Sequence, residues 1–181
     1  MPTHAAFLRG MNLGGRRITN DELCSHFEGM GFEEVDAFLA SGNVVFSVAP
    51  GAAADGEALA RRIEEGLQAA LDYDVPTFLR TDDEVRAVAG HRPFSEDVVE
   101  AAAGKLQVAL LGKPPSKPDR DAVLAHATDA DRLALREREL YWLPDGPMSK
   151  SELDLAAIEK RLGTMTIRTA RTLERLAAKY F

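Results

Sequence analysis

What most constrains the fold of this chain is the order in which its apolar residues change spacing. Apolar residues at alternate positions build strands, and those spaced three to four apart build helices. Residues 4–9 read as a strand, and Thr19-Asn20-Asp21-Glu22 has the form of a capping box, in which hydroxyl and carboxylate each satisfy a backbone amide at a helix start. Leu23, Phe27 and Met30 then share one helical face, and Gly31 supplies a left-handed stop. Residues 35–40 and 43–48 read as strands joined at Ser41-Gly42, a hairpin signal because glycine accepts positive φ at little cost. Asp55 caps a second helix whose Leu59, Ile63, Leu67, Ala70 and Leu71 form a core stripe, and residues 75–80 read as a closing strand. The order β-α-β-β-α-β is that of the split βαβ, or ferredoxin-like, plait, with two helices on one face of a four-stranded antiparallel sheet.

A second pass follows the first. A helix at 82–89, capped by Thr81 with Glu84 at its third position, leads to a strand at 105–111 and a helix opened by Ser116-Lys117-Pro118-Asp119. Residues 132–143 read as a hairpin, and residues 149–162 as a helix boxed by Ser149 and Glu152 and stopped by Gly163. A short strand at 164–167 precedes a helix at 168–180 that has no counterpart in the first pass. The predicted fold is therefore α+β: two tandem ferredoxin-like domains, 1–81 and 82–181, with antiparallel sheets, helices on one face, and an extra C-terminal helix.

Composition narrows the function classes. With 45% hydrophobic and 28% charged residues the 181-residue chain has the makeup of a soluble globule with a sizeable core. Its net charge of −7 argues against a dedicated duplex-DNA binder unless the charge is segregated. Residues 150–181 do carry seven basic against four acidic side chains, which can steer an anionic partner to one end of the sequence. The single Cys24 fits a reducing cytoplasm, and the absence of a long apolar stretch predicts no membrane span. His4, His26, His91 and His126 show no metal-ligand spacing, so no metal or cofactor is expected.

Several segments also resemble a known family. Leu8-Arg9-Gly10-Met11-Asn12-Leu13-Gly14-Gly15, Ser41-Gly42-Asn43-Val44-Val45-Phe46, Pro93-Phe94, Ser149-Lys150 and Glu159-Lys160-Arg161-Leu162-Gly163 together are similar to the bacterial family catalogued as domain of unknown function 1697. The resemblance covers nearly the whole chain and implies tandem ferredoxin-like domains. One departure stands out: the family's tail reads Arg-Asn-Trp-Asn-Thr, whereas this chain has Arg168-Thr169-Ala170-Arg171-Thr172.

The candidate site residues follow from charge and turn chemistry. Arg9, Gly10, Asn12, Gly14, Gly15, Arg16 and Arg17 make a loop with three arginines and no acid, where glycine amides and guanidinium groups can seat a phosphate or carboxylate. The spacing from Gly10 to Gly15 matches a P-loop, but Arg16-Arg17 replaces its lysine and hydroxyl, which excludes that NTPase chemistry. The plain alternative is a solvated turn. Arg168, Arg171, Arg175 and Lys179 are predicted to form a basic stripe on the last helix, opposite Leu173, Leu176, Ala177 and Tyr180. Lys150 joins them in the basic end of the sequence. Ser41 and Asn43 are hairpin residues that, with Asn12, supply the polar groups for an enzyme reading, although no nucleophile elbow surrounds Ser41. Trp142 is a packing residue or, on an open sheet face, a platform for a base.

Three functions of different classes fit. The first is a binding module for an anionic small molecule, a nucleotide or single-stranded nucleic acid, at loop 9–17. The second is a homo-oligomeric interaction protein that associates through sheet faces or edges left free of helices. The third is an enzyme of unassigned reaction using Asn12, Ser41 or Asn43.

Overall fold

The computed structural model describes residues 1–11, 15, 17–39, 42–49 and 56–181. The elements run β1 (His4–Leu8), α1 (Asn20–Gly29), β2 (Glu33–Ala37), β3 (Asn43–Ser47), α2 (Gly56–Leu71), β4 (Thr77–Thr81), α3 (Asp82–Gly90), α4 (Glu96–Ala101), β5 (Gln107–Leu111), α5 (Lys117–Leu124), β6 (Asp131–Arg136), β7 (Glu139–Pro144), α6 (Leu155–Leu162), β8 (Met165–Thr169) and α7 (Ala170–Tyr180). The strands form two four-stranded antiparallel sheets, ordered β2-β3-β1-β4 and β6-β7-β5-β8. The chain divides into two compact units, Met1–Arg86 with Leu176–Phe181, and Ala87–Arg175. No helix among the described residues is long and apolar enough to cross a membrane.

In the first unit, alternation along each strand sends Ala6, Leu8, Val44, Phe46 and Leu79 to one face of the sheet. There they pack with Leu23 and Phe27 of α1 and Leu59, Ile63 and Leu67 of α2. Phe27, Phe32 and Phe46 make an aromatic cluster with centroids 4.7 to 5.8 Å apart. The predicted Thr19 capping box closes α1, with the Thr19 amide donating to Glu22 and the Glu22 amide donating to the Thr19 hydroxyl. The expected Asp55 cap of α2 lies outside the described residues. On the opposite face of the sheet Ala5, Phe7, Val45 and Phe78 are buried as well. That face is therefore not open to solvent at these residues, whereas the self-association reading expects a free face.

The second unit is built in the same way. Ala109, Leu111, Leu140, Trp142 and Met165 face Val123 of α5 and Ile158 and Leu162 of α6. Trp142 is thus a core residue on the helix-covered face, not a platform on an open one, and its indole N–H donates to Asp131 at 2.7 Å.

Two further readings of the second half are corrected, and one helix, α4, had no counterpart in the sequence reading. Ser149 does not cap the sixth helix: residues 148–150 form one 3-10 turn, and α6 begins at Leu155, capped by Asp154, whose carboxylate accepts from the Ala157 amide at 2.9 Å. The short α4 buries no residue and leaves no apolar stripe in the sequence. Arg168 lies in β8, paired with Val108, so only Arg171, Arg175 and Lys179 of the predicted stripe sit on α7. Leu173 and Leu176 are buried on its apolar side.

Candidate functional site

The two glycine motifs at the start of the chain meet at one end of the first sheet. The chain leaves β1 with Gly10 at φ +76°, and the hairpin between β2 and β3 turns through Gly42 at φ +68°. The Leu8 amide donates to the Gly42 carbonyl at 2.7 Å and the Arg9 amide to the Pro76 carbonyl at 3.0 Å. Met11 is buried beneath this turn, and the Tyr73 hydroxyl reaches its carbonyl at 3.5 Å. A β-carbon placed on Gly42 would lie 3.1 Å from Met11 Cγ and 3.3 Å from the Leu8 carbonyl oxygen, so only glycine fits without displacement. Elements far apart in sequence thus hold Arg9, Gly10 and Met11 in place.

Of the predicted loop residues, Arg9 and Gly10 are half-buried, and Gly15, at φ +84°, and Arg17 are exposed. Asn12, Gly14, Arg16 and Ser41 lie outside the described residues. Asn43 is fully buried, and its side-chain amide donates to the Phe38 carbonyl at 3.0 Å, the bond of a residue that holds a turn. That bond occupies the polar group the enzyme reading would use.

The remaining candidates belong to the second unit and are not gathered into one site. Arg168 is half-buried, and one guanidinium nitrogen donates to the Thr166 hydroxyl at 2.8 Å and the Ile167 carbonyl at 2.9 Å. Burial lowers its pKa to about 10, which still leaves it charged at neutral pH. Arg171 is exposed and lines a cleft of about 500 Å³ at the start of α7, together with Pro93, Phe94, Lys105 and the departure positions Thr169 and Ala170. Arg92 in that cleft is paired with Glu174 at 3.3 Å, and Glu96 and Glu100 balance Lys105 and Arg171. Two amides of the first turn of α7 are already engaged, Ala170 donating to the Leu106 carbonyl and Thr172 to the Thr169 hydroxyl. This cleft therefore has no excess of positive charge.

Lys150 lines a different cavity, of about 470 Å³, beside Asp131, Asp145 and Ser151. Sequence reasoning missed this cavity because its central residue, Asp131, read only as the approach to a strand. No local pattern marks it, since the register pairs Trp142 with Leu133 and Asp131 with Pro144, and the bond from Trp142 to Asp131 runs across that register. Among the described residues no group of histidine, cysteine and carboxylate side chains has the arrangement of a metal site.

No curated protein matches this sequence. A conserved bacterial protein from Streptococcus pneumoniae has a similar solved structure, with a TM-score of 0.69 at 16% identity over 98% of this chain and 97% of that one, a likeness of fold alone. The family described as protein of unknown function (DUF1697) matches residues 1–141, covering both glycine motifs and the strands they connect, and the chain belongs to that family.

Proposed function

We propose that this protein is a binding module for an anionic ligand, a nucleotide, phosphate metabolite or nucleic-acid phosphate, seated where the Arg9–Arg17 loop meets the Gly42 turn. The observation that carries the reading is the seating of Gly42 on Leu8 and Met11, with Gly10 and Gly42 both at positive φ. The contact of Gly42 with Leu8 and Met11 holds the two motifs together, and in this reading glycine amides of the loop and the arginines beside them supply charge-assisted hydrogen bonds to the anion. The identical strand order of the two sheets supports reading each as a ferredoxin-like plait, in domains 1–81 and 82–181.

The test is a thermal-shift screen of nucleotides, sugar phosphates, carboxylates and short oligonucleotides on wild type and on the double variant Arg9→Ala/Arg16→Ala. A ligand at about a hundred times its Kd stabilises by about 2.7 kcal/mol and raises the Tm by several degrees. A shift in wild type that the double variant lacks is expected. A shift that survives both substitutions, or none with any ligand, refutes the proposal.

A further inference from the structure

β8 is an edge strand: it ends the order β6-β7-β5-β8, with β5 as its neighbour on one side. Along β5 the Leu111 amide donates to the Arg138 carbonyl on the β7 side, and on the β8 side the Ala170 amide donates to the Leu106 carbonyl. Bonding direction alternates along a strand. Val108 and Leu110 therefore bond to Arg168 and Thr166, and the backbone groups of Met165, Ile167 and Thr169 point away from β5. Ile167, the middle one of these three, is half-buried, and its outward carbonyl accepts from Arg168 Nη1 at 2.9 Å. The same nitrogen donates to the Thr166 hydroxyl at 2.8 Å, which fixes the guanidinium along its own strand.

The first sheet repeats this arrangement. β4 ends the order β2-β3-β1-β4, and the bonds from the Arg9 amide to Pro76 and from the Asp82 amide to Thr3 set the alternation, so Thr77, Leu79 and Thr81 point outward. Arg80 Nη1 donates to the Leu79 carbonyl at 2.7 Å, the counterpart of the Arg168 bond. The outward amides of Thr77 and Thr81 donate to Glu64 and Glu84, each at 2.9 Å. Leu79-Arg80-Thr81 and Ile167-Arg168-Thr169 thus hold the same place in the two sheets, and in each the arginine binds the carbonyl of the residue before it. β4 is buried from Thr77 to Arg80, whereas Ile167, Arg168 and Thr169 are half-buried, so β8 is the edge more open to another strand.

An open edge strand pairs with strands of other chains, and a charged side chain laid across it is one way in which proteins prevent this. We infer that Arg168 holds the β8 edge closed against a second copy of this chain, and that Arg80 is its counterpart in the first sheet. Two copies of β8 brought together antiparallel overlap over their full length only when Ile167 faces Ile167 across a two-fold axis. Each Ile167 amide would then donate to the Ile167 carbonyl of the other copy, and that carbonyl is the acceptor Arg168 occupies. Charge adds a second barrier, because the same pairing brings two guanidinium groups to one interface. The role is independent of the anion reading of the first unit.

Sedimentation velocity of the full chain over a concentration series, with amide hydrogen exchange followed at Ile167, tests the inference. Wild type is expected to stay monomeric, with the Ile167 amide exchanging faster than those of Thr166 and Arg168, which bond to β5. Arg168→Met removes donor and charge together and is expected to double in mass as concentration rises, with Ile167 becoming protected in step. Arg168→Lys keeps a charged donor and is expected to remain monomeric, which separates opening of the edge from general loss of folding. A folded Arg168→Met variant that stays monomeric overturns the inference, as does association that leaves Ile167 unprotected. If Arg168→Met does not fold, the other two proteins still decide: a protected Ile167 amide in wild type, or dimerisation of Arg168→Lys, overturns it.

Discussion

Replacing Gly42 and Gly10 by alanine in parallel separates the cost of backbone strain from the cost of lost contact between the two motifs. Both glycines hold a left-handed φ, +68° and +76°, where an L side chain costs about 1–2 kcal/mol. The unfolded chain loses the same freedom in both variants, so that contribution cancels in the comparison. What differs is the space around the new methyl group. Among the described residues nothing lies within 4 Å of a β-carbon at Gly10, whereas at Gly42 Met11 Cγ, Leu8 Cβ and the Leu8 carbonyl oxygen lie at 3.1, 3.2 and 3.3 Å. Met11 can yield by changing rotamer, but the Leu8 carbonyl belongs to a backbone tied to Gly42 by the 2.7 Å bond from the Leu8 amide. Overpacking of this kind costs about 1–3 kcal/mol. Gly42→Ala is therefore expected to lose about 1–3 kcal/mol more than Gly10→Ala in urea unfolding followed by far-ultraviolet circular dichroism. Equal losses would refute the inference that the hairpin turn is packed against the first loop.

Two further outcomes follow from single hydrogen bonds. Trp142→Phe removes one of the two donors to the buried Asp131 carboxylate and is expected to lower stability by about 1–3 kcal/mol in the same assay, while Trp142→Phe with Asp131→Leu recovers part of the loss because no acceptor is left unsatisfied. Asp36 accepts from the Tyr180 hydroxyl at 2.5 Å and from Lys179 at 3.3 Å, and these partners, Tyr180 foremost, hold its pKa below the usual carboxylate value. Its folded pKa is depressed, so its contribution is complete at neutral pH and is lost as pH falls through the carboxylate range. The Tm difference between wild type and Asp36→Asn should then be constant near neutrality and shrink in acid; a difference that grows in acid would contradict the assignment.

The elements that the sequence disclosed are those whose signals are local. The capping pairs Thr19 with Glu22, Thr81 with Glu84 and Ser116 with Asp119 all form, because each bond spans three residues and needs no distant partner. Ser149 and Glu152 carry the same signature and do not form a cap. The neighbouring Ser151 hydroxyl is instead bound to Asp131, twenty positions earlier, and accepts from the Leu153 amide, which delays the helix to Asp154. A competing tertiary bond is invisible to a local rule. The face on which Trp142 lies was equally hidden, since every residue of β7 is buried and no polar alternation marks which side meets the helices. Of the candidate site, the sequence disclosed the two glycine motifs, but only the fold shows that they touch.

The ownership of the last helix bears on how this protein can be made in pieces. Residues 176–181 belong to the first unit, where Tyr180 packs edge-on against Phe38 at 5.9 Å and Arg86 donates to the Phe181 carbonyl at 2.8 Å. Vectorial synthesis delivers these residues only after every strand of the second unit. An N-terminal fragment that stops anywhere short of residue 176 therefore leaves Phe38 uncovered and Asp36 without its hydroxyl partner, however complete its sheet. Expression of the first unit alone calls for grafting the final turn back onto it, for example by circular permutation, and not for a simple cut between the sheets.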